Sequence, residues 1–284
     1  MITLTQTVLI LYTLSQLGHG TGDSAGQPTD EIECGVRFRV KPPGNWPFHV
    51  LLVTYPASPS LAAVVLCGGT VIGMRTVLTA AHCVLGSNRR PVNVSSVVIY
   101  AAIYNLSSLE STPRHSVESI IIHPEYSTDT LTNDVALLRL DDIVGYNQLV
   151  QPVCLWPSDR SGSRKIELVE ATAIGWGIDA TGSFSNALKE CNQRLPSMDE
   201  CRMQFGRILL RNESLFCART KVCRGSGGSG LYVQRKGRMY LRGIVLLGPP
   251  TSASSRCGDN KLTVFLDMGK HYDWIRQQLF NDLK

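Results

Sequence analysis

The chain has 284 residues and a mass of 31.1 kDa, which allows one large domain or two small ones. Hydrophobic residues make up 43% and charged residues 18%, enough to bury a sizeable core, and this excludes a disordered chain. Twenty-eight Lys and Arg against 23 Asp and Glu leave a scattered net charge of +5, which does not point to nucleic acid, and past the N-terminus no apolar run approaches the roughly 20 residues that cross a bilayer.

The first element is a short apolar run, Val8-Leu9-Ile10-Leu11-Tyr12, followed by small and polar residues around Gly18-His19-Gly20. That is the length of a signal-peptide core, although no Lys or Arg precedes it. The bland alternative is a tail that carries a few apolar residues. Residues 1–20 are expected to be a signal peptide, 21–33 a linker, and 34–284 the folded domain. Nine cysteines agree with export, because cytosolic chains rarely keep so many without metal-ligand spacing. No Cys-x-x-Cys pair occurs, so no zinc or other metal is expected. Three sequons begin at Asn93, Asn105 and Asn212, each a glycosylation site if the chain is exported.

From Pro47 onward, short apolar or alternating runs are separated by Gly, Pro, Asn and Ser. They include Phe48 to Val53, Val97 to Tyr100, Val117 to Ile122, Val135 to Leu140 and Tyr240 to Leu247. Many short β-branched runs between turn signals predict an all-β barrel or sandwich. One clear helical pattern closes the chain, with Tyr272, Ile275 and Leu279 on one face.

Three segments carry chemistry. The first is Cys67-Gly68-Gly69-Thr70 with Val77-Leu78-Thr79-Ala80-Ala81-His82-Cys83. The second is Asn133-Asp134-Val135-Ala136-Leu137-Leu138-Arg139-Leu140. The third is Cys223-Arg224-Gly225-Ser226-Gly227-Gly228-Ser229-Gly230-Leu231. Together, and with Gly175-Trp176-Gly177 and Tyr272-Asp273-Trp274-Ile275, they resemble the chymotrypsin-like serine proteases of peptidase family S1. The resemblance runs from about Cys34 to the end. It implies two packed antiparallel β-barrels, a C-terminal α-helix, and an active site between the barrels.

Acyl transfer to a serine needs a base touching the hydroxyl and a carboxylate orienting that base. By resemblance His82 is the base and Asp134 the carboxylate. The family's third segment reads Cys-x-Gly-Asp-Ser-Gly-Gly-Pro. Laid without gaps, Gly225 falls on the oxyanion-hole glycine, Ser226 on the aspartate and Gly227 on the nucleophile. A rival alignment keeps Ser226-Gly227-Gly228 as the nucleophile triplet at the cost of two compensating indels. Such indels displace the hydroxyl, and ångström-scale misplacement alone lowers a rate by roughly 10².

Other departures accompany this one. No Ile-Val-Gly-Gly activation terminus is present, although Arg37 or Arg39 could be cut, and Ser226 offers no carboxylate to a new terminus. Losing both partners of a buried ion pair together avoids the roughly 3–5 kcal/mol that losing one would cost. On the substrate side, the family's Gly-Ile-Val-Ser-Trp-Gly reads Gly243-Ile244-Val245-Leu246-Leu247-Gly248. Leu246 replaces a supporting serine, Leu247 a pocket-wall tryptophan, and Lys221 the aspartate that binds Lys or Arg in trypsin-like members. Lys221 also reads as a solvated loop charge.

The resemblance further implies bridges Cys67–Cys83, Cys201–Cys217, Cys223–Cys257 and Cys34–Cys154. Another family bridge is absent as a unit, since Ala171 and Val233 occupy its positions. Cys191 is left over, for an intermolecular link or a buried thiol. The expected protein is a secreted, non-catalytic serine protease homologue of the kind found in arthropod body-fluid cascades. It would need no cofactor and would engage a protein partner rather than nucleic acid or membrane. The alternative is an active secreted endopeptidase using His82, Asp134 and a displaced Ser226.

Overall fold

The computed structural model describes residues 33–38, 46–55, 65–158, 170–177, 185–194, 198–206, 212–220, 226–247 and 261–281. By internal packing the chain divides into Met1–Ile32 and Glu33–Lys284. The first unit lies outside the described residues, and with it the signal-peptide reading and nearly all of the linker.

Six strands close the first barrel: β1 (His49–Thr54), β2 (Val65–Gly73), β3 (Thr76–Thr79), β4 (Val97–Ala101), β5 (Arg114–Ile122) and β6 (Ala136–Leu140). The order β1-β2-β3-β6-β5-β4 returns to its start where β1 pairs with β4 in antiparallel register, Leu52 opposite Ile99. All six residues of β1 and all five of β6 are buried. Their apolar runs therefore lack alternation, as strands covered on both faces do.

The second sheet contains β7 (Cys154–Leu155), β8 (Glu170–Gly175), β9 (Lys189–Arg194), β10 (Leu215–Thr220), β11 (Gly230–Arg235), β12 (Arg238–Leu247) and β13 (Lys261–Asp267). It runs β10-β13-β12-β11-β8-β9, with β7 alongside β12, and forms a half-barrel. The β11–β12 hairpin turns on Lys236 and Gly237 at φ 47° and 78°, between paired Arg235 and Arg238. Two consecutive positive φ values make the tight turn whose twist matches the flanking strands.

Two α-helices lie among the described residues, α1 (Met198–Phe205) and α2 (Met268–Asn281). Only α2 is legible as a helix in the sequence. α1 buries Cys201, tied to Cys217 on β10, but leaves Met203 81% exposed, so it carries no apolar stripe. Asp267 caps α2, accepting the Gly269 N–H at 2.9 Å. Ile275 is fully buried, while Tyr272 and Leu279 are half-buried beside it. From β13 the helix reaches the first barrel, where Arg139 of β6 donates to the Gln278 carbonyl at 2.7 Å.

The barrels meet through Tyr232 of β11, fully buried against Trp46 and Phe48. Its hydroxyl bonds Thr70 Oγ1 of β2 at 2.9 Å. Burying one such side chain contributes roughly 1.5–3 kcal/mol. The segment 33–38 is held on the second sheet by Cys34–Cys154 and by Gly35, which donates to the Pro152 carbonyl and accepts from Met239 N–H. Gly35 has φ 71°, and a Cβ there would run into the Met239 backbone.

Candidate active site

The site forms at the junction of the two sheets. Leaving β3, the chain makes a 3-10 turn, Ala81–Val84, which carries His82. Cys67–Cys83 pins this turn to β2. Across from it, Asp134 lies two residues before β6 and is fully buried. Its carboxylate accepts the His82 backbone N–H at 2.9 Å through Oδ1 and pairs with the ring Nδ1 at 2.8 Å through Oδ2. A carboxylate only accepts, so Nδ1 carries a proton, and in the neutral imidazole Nε2 then presents a lone pair. That is the arrangement of a general base. Nearby Tyr126 has its phenol pushed up to about 12, first by burial and then by the Asp134 charge.

Gly227 lies opposite that lone pair. A Cβ built on it would stand 2.6 Å from His82 Nε2 and 3.4 Å from Cys83 Sγ. The Gly227 carbonyl accepts from Gly68 N–H at 2.8 Å, which docks this turn on β2. Gly228, at φ 73°, follows and donates to the Val245 carbonyl. A side chain there would run into Thr79, Gly68 and Ala80, so only glycine lets the turn approach β2 so closely.

Ser226 turns the other way. It is 1% exposed, and its Oγ would lie 2.7 Å from a Cβ placed on Gly175. The hydroxyls of Ser226 and Ser229 are both buried, without a hydrogen-bond partner among the described residues. The sequence thus brings His82, Asp134 and Gly227 together and leaves Ser226 without a bond to the imidazole. Leu246 is 5% exposed and packs in the main hydrophobic cluster. Gly225, Lys221, Gly248, Cys223 and Cys257 lie outside the described residues.

The other expected features are placed as follows. The Cys34–Cys154, Cys67–Cys83 and Cys201–Cys217 bridges are formed. Ala171 and Val233 pack in the second core cluster with Cys191, which is 4% exposed. At this burial the Cys191 sulfur offers little access to a second chain. Asn93 is exposed and Asn105 half-buried, each accepting a backbone N–H two residues on. Asn212 is 5% exposed, with its Nδ2 bonded to the Leu131 carbonyl at 3.3 Å. Cys67, His82 and Cys83 bring possible metal-ligand atoms within 4.8 Å of one another. The two sulfurs are bonded to each other, so only the imidazole remains as a donor and no metal site results.

Two further residues are not among the site residues expected from the sequence. Asn133, beside Asp134, sits at φ 52°, and its side chain meets His271 of α2 at 3.0 Å. His49 of β1 is 2% exposed, stacked on Trp176 with ring centroids 5.0 Å apart. Asn133 opens the second motif, but nothing beside it shows what its side chain meets, and His49 is a lone polar residue within an apolar run, which reads as ordinary core.

A family model described as Trypsin matches residues 36–275. Venom serine protease Bi-VSP of Bombus ignitus is 29% identical over 234 residues, 79% of this chain and 64% of that protein. Coagulation factor XI of Bos taurus is 30% identical over 243 residues, 83% of this chain and 36% of that protein. CLIP domain-containing serine protease B4 of Anopheles gambiae is 29% identical over 275 residues, 90% of this chain and 69% of that protein. The chain therefore spans less than two thirds of the length of the first two.

Proposed function

The chain belongs to the trypsin family, and from that premise we propose that it is a secreted serine protease homologue without hydrolytic activity, serving as a binding or regulatory partner in an extracellular proteolytic cascade. One observation carries this reading. Where the His82–Asp134 pair presents its lone pair, the facing residue is Gly227, with no side chain at all. A base without a hydroxyl to deprotonate performs no acyl transfer. Losing the serine of such a triad costs roughly 10⁶ in kcat. Against a usual kcat of roughly 1–10³ per second, what remains is negligible.

Ser226 does not take over the role. Its hydroxyl is buried toward Gly175 and bonds neither His82 nor any other group among the described residues. The missing carboxylate at Ser226 also leaves nothing for a freed N-terminus to pair with. Export is supported by the three disulfides, which persist in oxidising compartments. Relatives named as a coagulation factor and a CLIP-domain protease support the cascade setting.

A fluorophosphonate probe tests the reading, because it labels an activated serine beside a formed oxyanion hole. The secreted chain is expected to stay unlabelled, both before and after incubation with a trypsin-like protease. Labelling at Ser226 after that incubation would overturn it.

A further inference from the structure

His271 is 3% exposed on the first turn of α2 and lies between two acceptors. Its Nδ1 is 2.8 Å from the Asp267 carbonyl, and its Nε2 is 3.0 Å from Asn133 Oδ1. The Asn133 amide is committed at its other end, where Nδ2 donates to the Glu125 carbonyl at 3.2 Å. Donor and acceptor counting then gives a definite result. A neutral imidazole has one N–H. If it serves Asp267, the bare Nε2 faces the Asn133 oxygen, acceptor against acceptor. Rotating the amide repairs that contact but turns its oxygen onto the Glu125 carbonyl. Only the imidazolium, donating from both nitrogens, satisfies all three bonds at once.

We propose that His271 is a proton-loaded positioning residue: when protonated it locks Asn133 between α2 and the Glu125 turn, and so fixes the backbone that presents Asp134 to His82. Asn133 is held at φ 52°, a conformation of small intrinsic population for a non-glycine residue, so an outside clamp has something to hold. The link to the site is covalent, since Asp134 is the next residue and grips both His82 N and Nδ1. This inference concerns the His82–Asp134 pair and does not rest on Gly227 being inert.

The groups around His271 set where the lock closes. Burial pushes its proton affinity below the ordinary histidine value. The Asp267 carbonyl pulls it back up, nearby His123 lowers it, and the Asp267 carboxylate raises it. That carboxylate is shared with Arg242 of β12. His123 has its ring centroid 5.8 Å away, accepts the Glu125 N–H through Nδ1, and is itself lowered by burial against the pull of Glu125. Lys270 and Asp273, on the same helix, are exposed. The lock therefore closes on the acid side of the ordinary histidine midpoint and is open at neutral pH.

Nitrogen NMR of the histidine rings in the whole 15N-labelled chain, titrated from about pH 8 to about pH 5, tests this. The two His271 nitrogens are expected to converge as the ring gains its second proton. The Asn133 side-chain amide and His82 Nδ1–H resonances should move with the same midpoint. In H271Q that shared step should vanish from both. N133D, which places a carboxylate against Nε2 at a position where Asp tolerates positive φ, should raise the midpoint by at least about one unit, and it serves if H271Q does not fold. A His271 ring that keeps one bare nitrogen throughout, a shared step that survives in H271Q, or an unmoved midpoint in N133D would overturn the proposal.

Discussion

Gly227 and His82 are closer than two side chains could be: a Cβ on the glycine would stand 2.6 Å from the imidazole Nε2. The ring fills the room that a side chain at 227 would need. A serine placed there must therefore displace it. His82 is 36% exposed, so the ring can give way, but doing so weakens its 2.8 Å bond to Asp134.

Gly227→Ser is accordingly expected to fold yet to show no measurable hydrolysis of ester substrates. The added hydroxyl meets a displaced base, and Ser226 still supplies no carboxylate beside it. Ester turnover by this single variant above the uncatalysed rate would contradict the account.

Asp134→Asn should loosen the site from within. The amide oxygen can still accept the His82 N–H, but the NH₂ then faces the Nδ1 proton and forces the other tautomer. Loss of a charge-assisted bond at a fully buried position should cost about 1.5–3 kcal/mol, read from the urea midpoint. The low-field Nδ1 proton signal of His82 should vanish with it.

Acid should destabilise the fold through His49. Burial lowers its pKa from 6.5 to about 3. The folded ring therefore stays neutral while the unfolded one takes up a proton below 6.5. Stability from this residue is full above that value and is lost as pH falls toward about 3. The loss approaches about 1.4 kcal/mol per pH unit across the window. His49→Gln should flatten that part of the profile, measured by urea unfolding at pH values between about 7.5 and about 4.5.

If the chain is exported, its glycans should sit on Asn93 and Asn105 and not on Asn212. The Asn212 nitrogen is buried and already bonded to Leu131, so a sugar has neither room nor a free amide. Intact mass before and after glycosidase treatment checks this. Asn212→Gln should leave the mass shift unchanged, whereas Asn93→Gln and Asn105→Gln should each remove one glycan.

The pair Cys34→Ser and Cys154→Ser should lower stability by about 2–5 kcal/mol. The bridge closes a separation of 120 residues, so it removes much freedom from the unfolded chain. Denaturant unfolding with non-reduced controls gives the number.

Much of this molecule is written locally. The strand runs show in apolar segments such as Val135 to Leu140, because burial on both faces leaves apolar side chains at every position but Arg139. The terminal helix shows in the spacing of Tyr272, Ile275 and Leu279. His82, Asp134 and Gly227 are legible because each lies within a short motif whose backbone geometry travels with it. α1 is not legible, since a disulfide rather than an apolar stripe holds it.

Composition, motif order and spacing by themselves determined the β-class, the family resemblance and which residues line the base. Those are properties of neighbours along the chain. The tertiary structure alone decided that the Ser226 hydroxyl turns toward Gly175, that Asn212 is buried under Leu131, and that His271 meets Asn133 across 138 residues. Which polar groups end up face to face depends on how two sheets and a helix close around one another. No periodicity encodes that closure, because a hydrogen bond is satisfied by whatever atom arrives within about 3 Å, however distant in sequence.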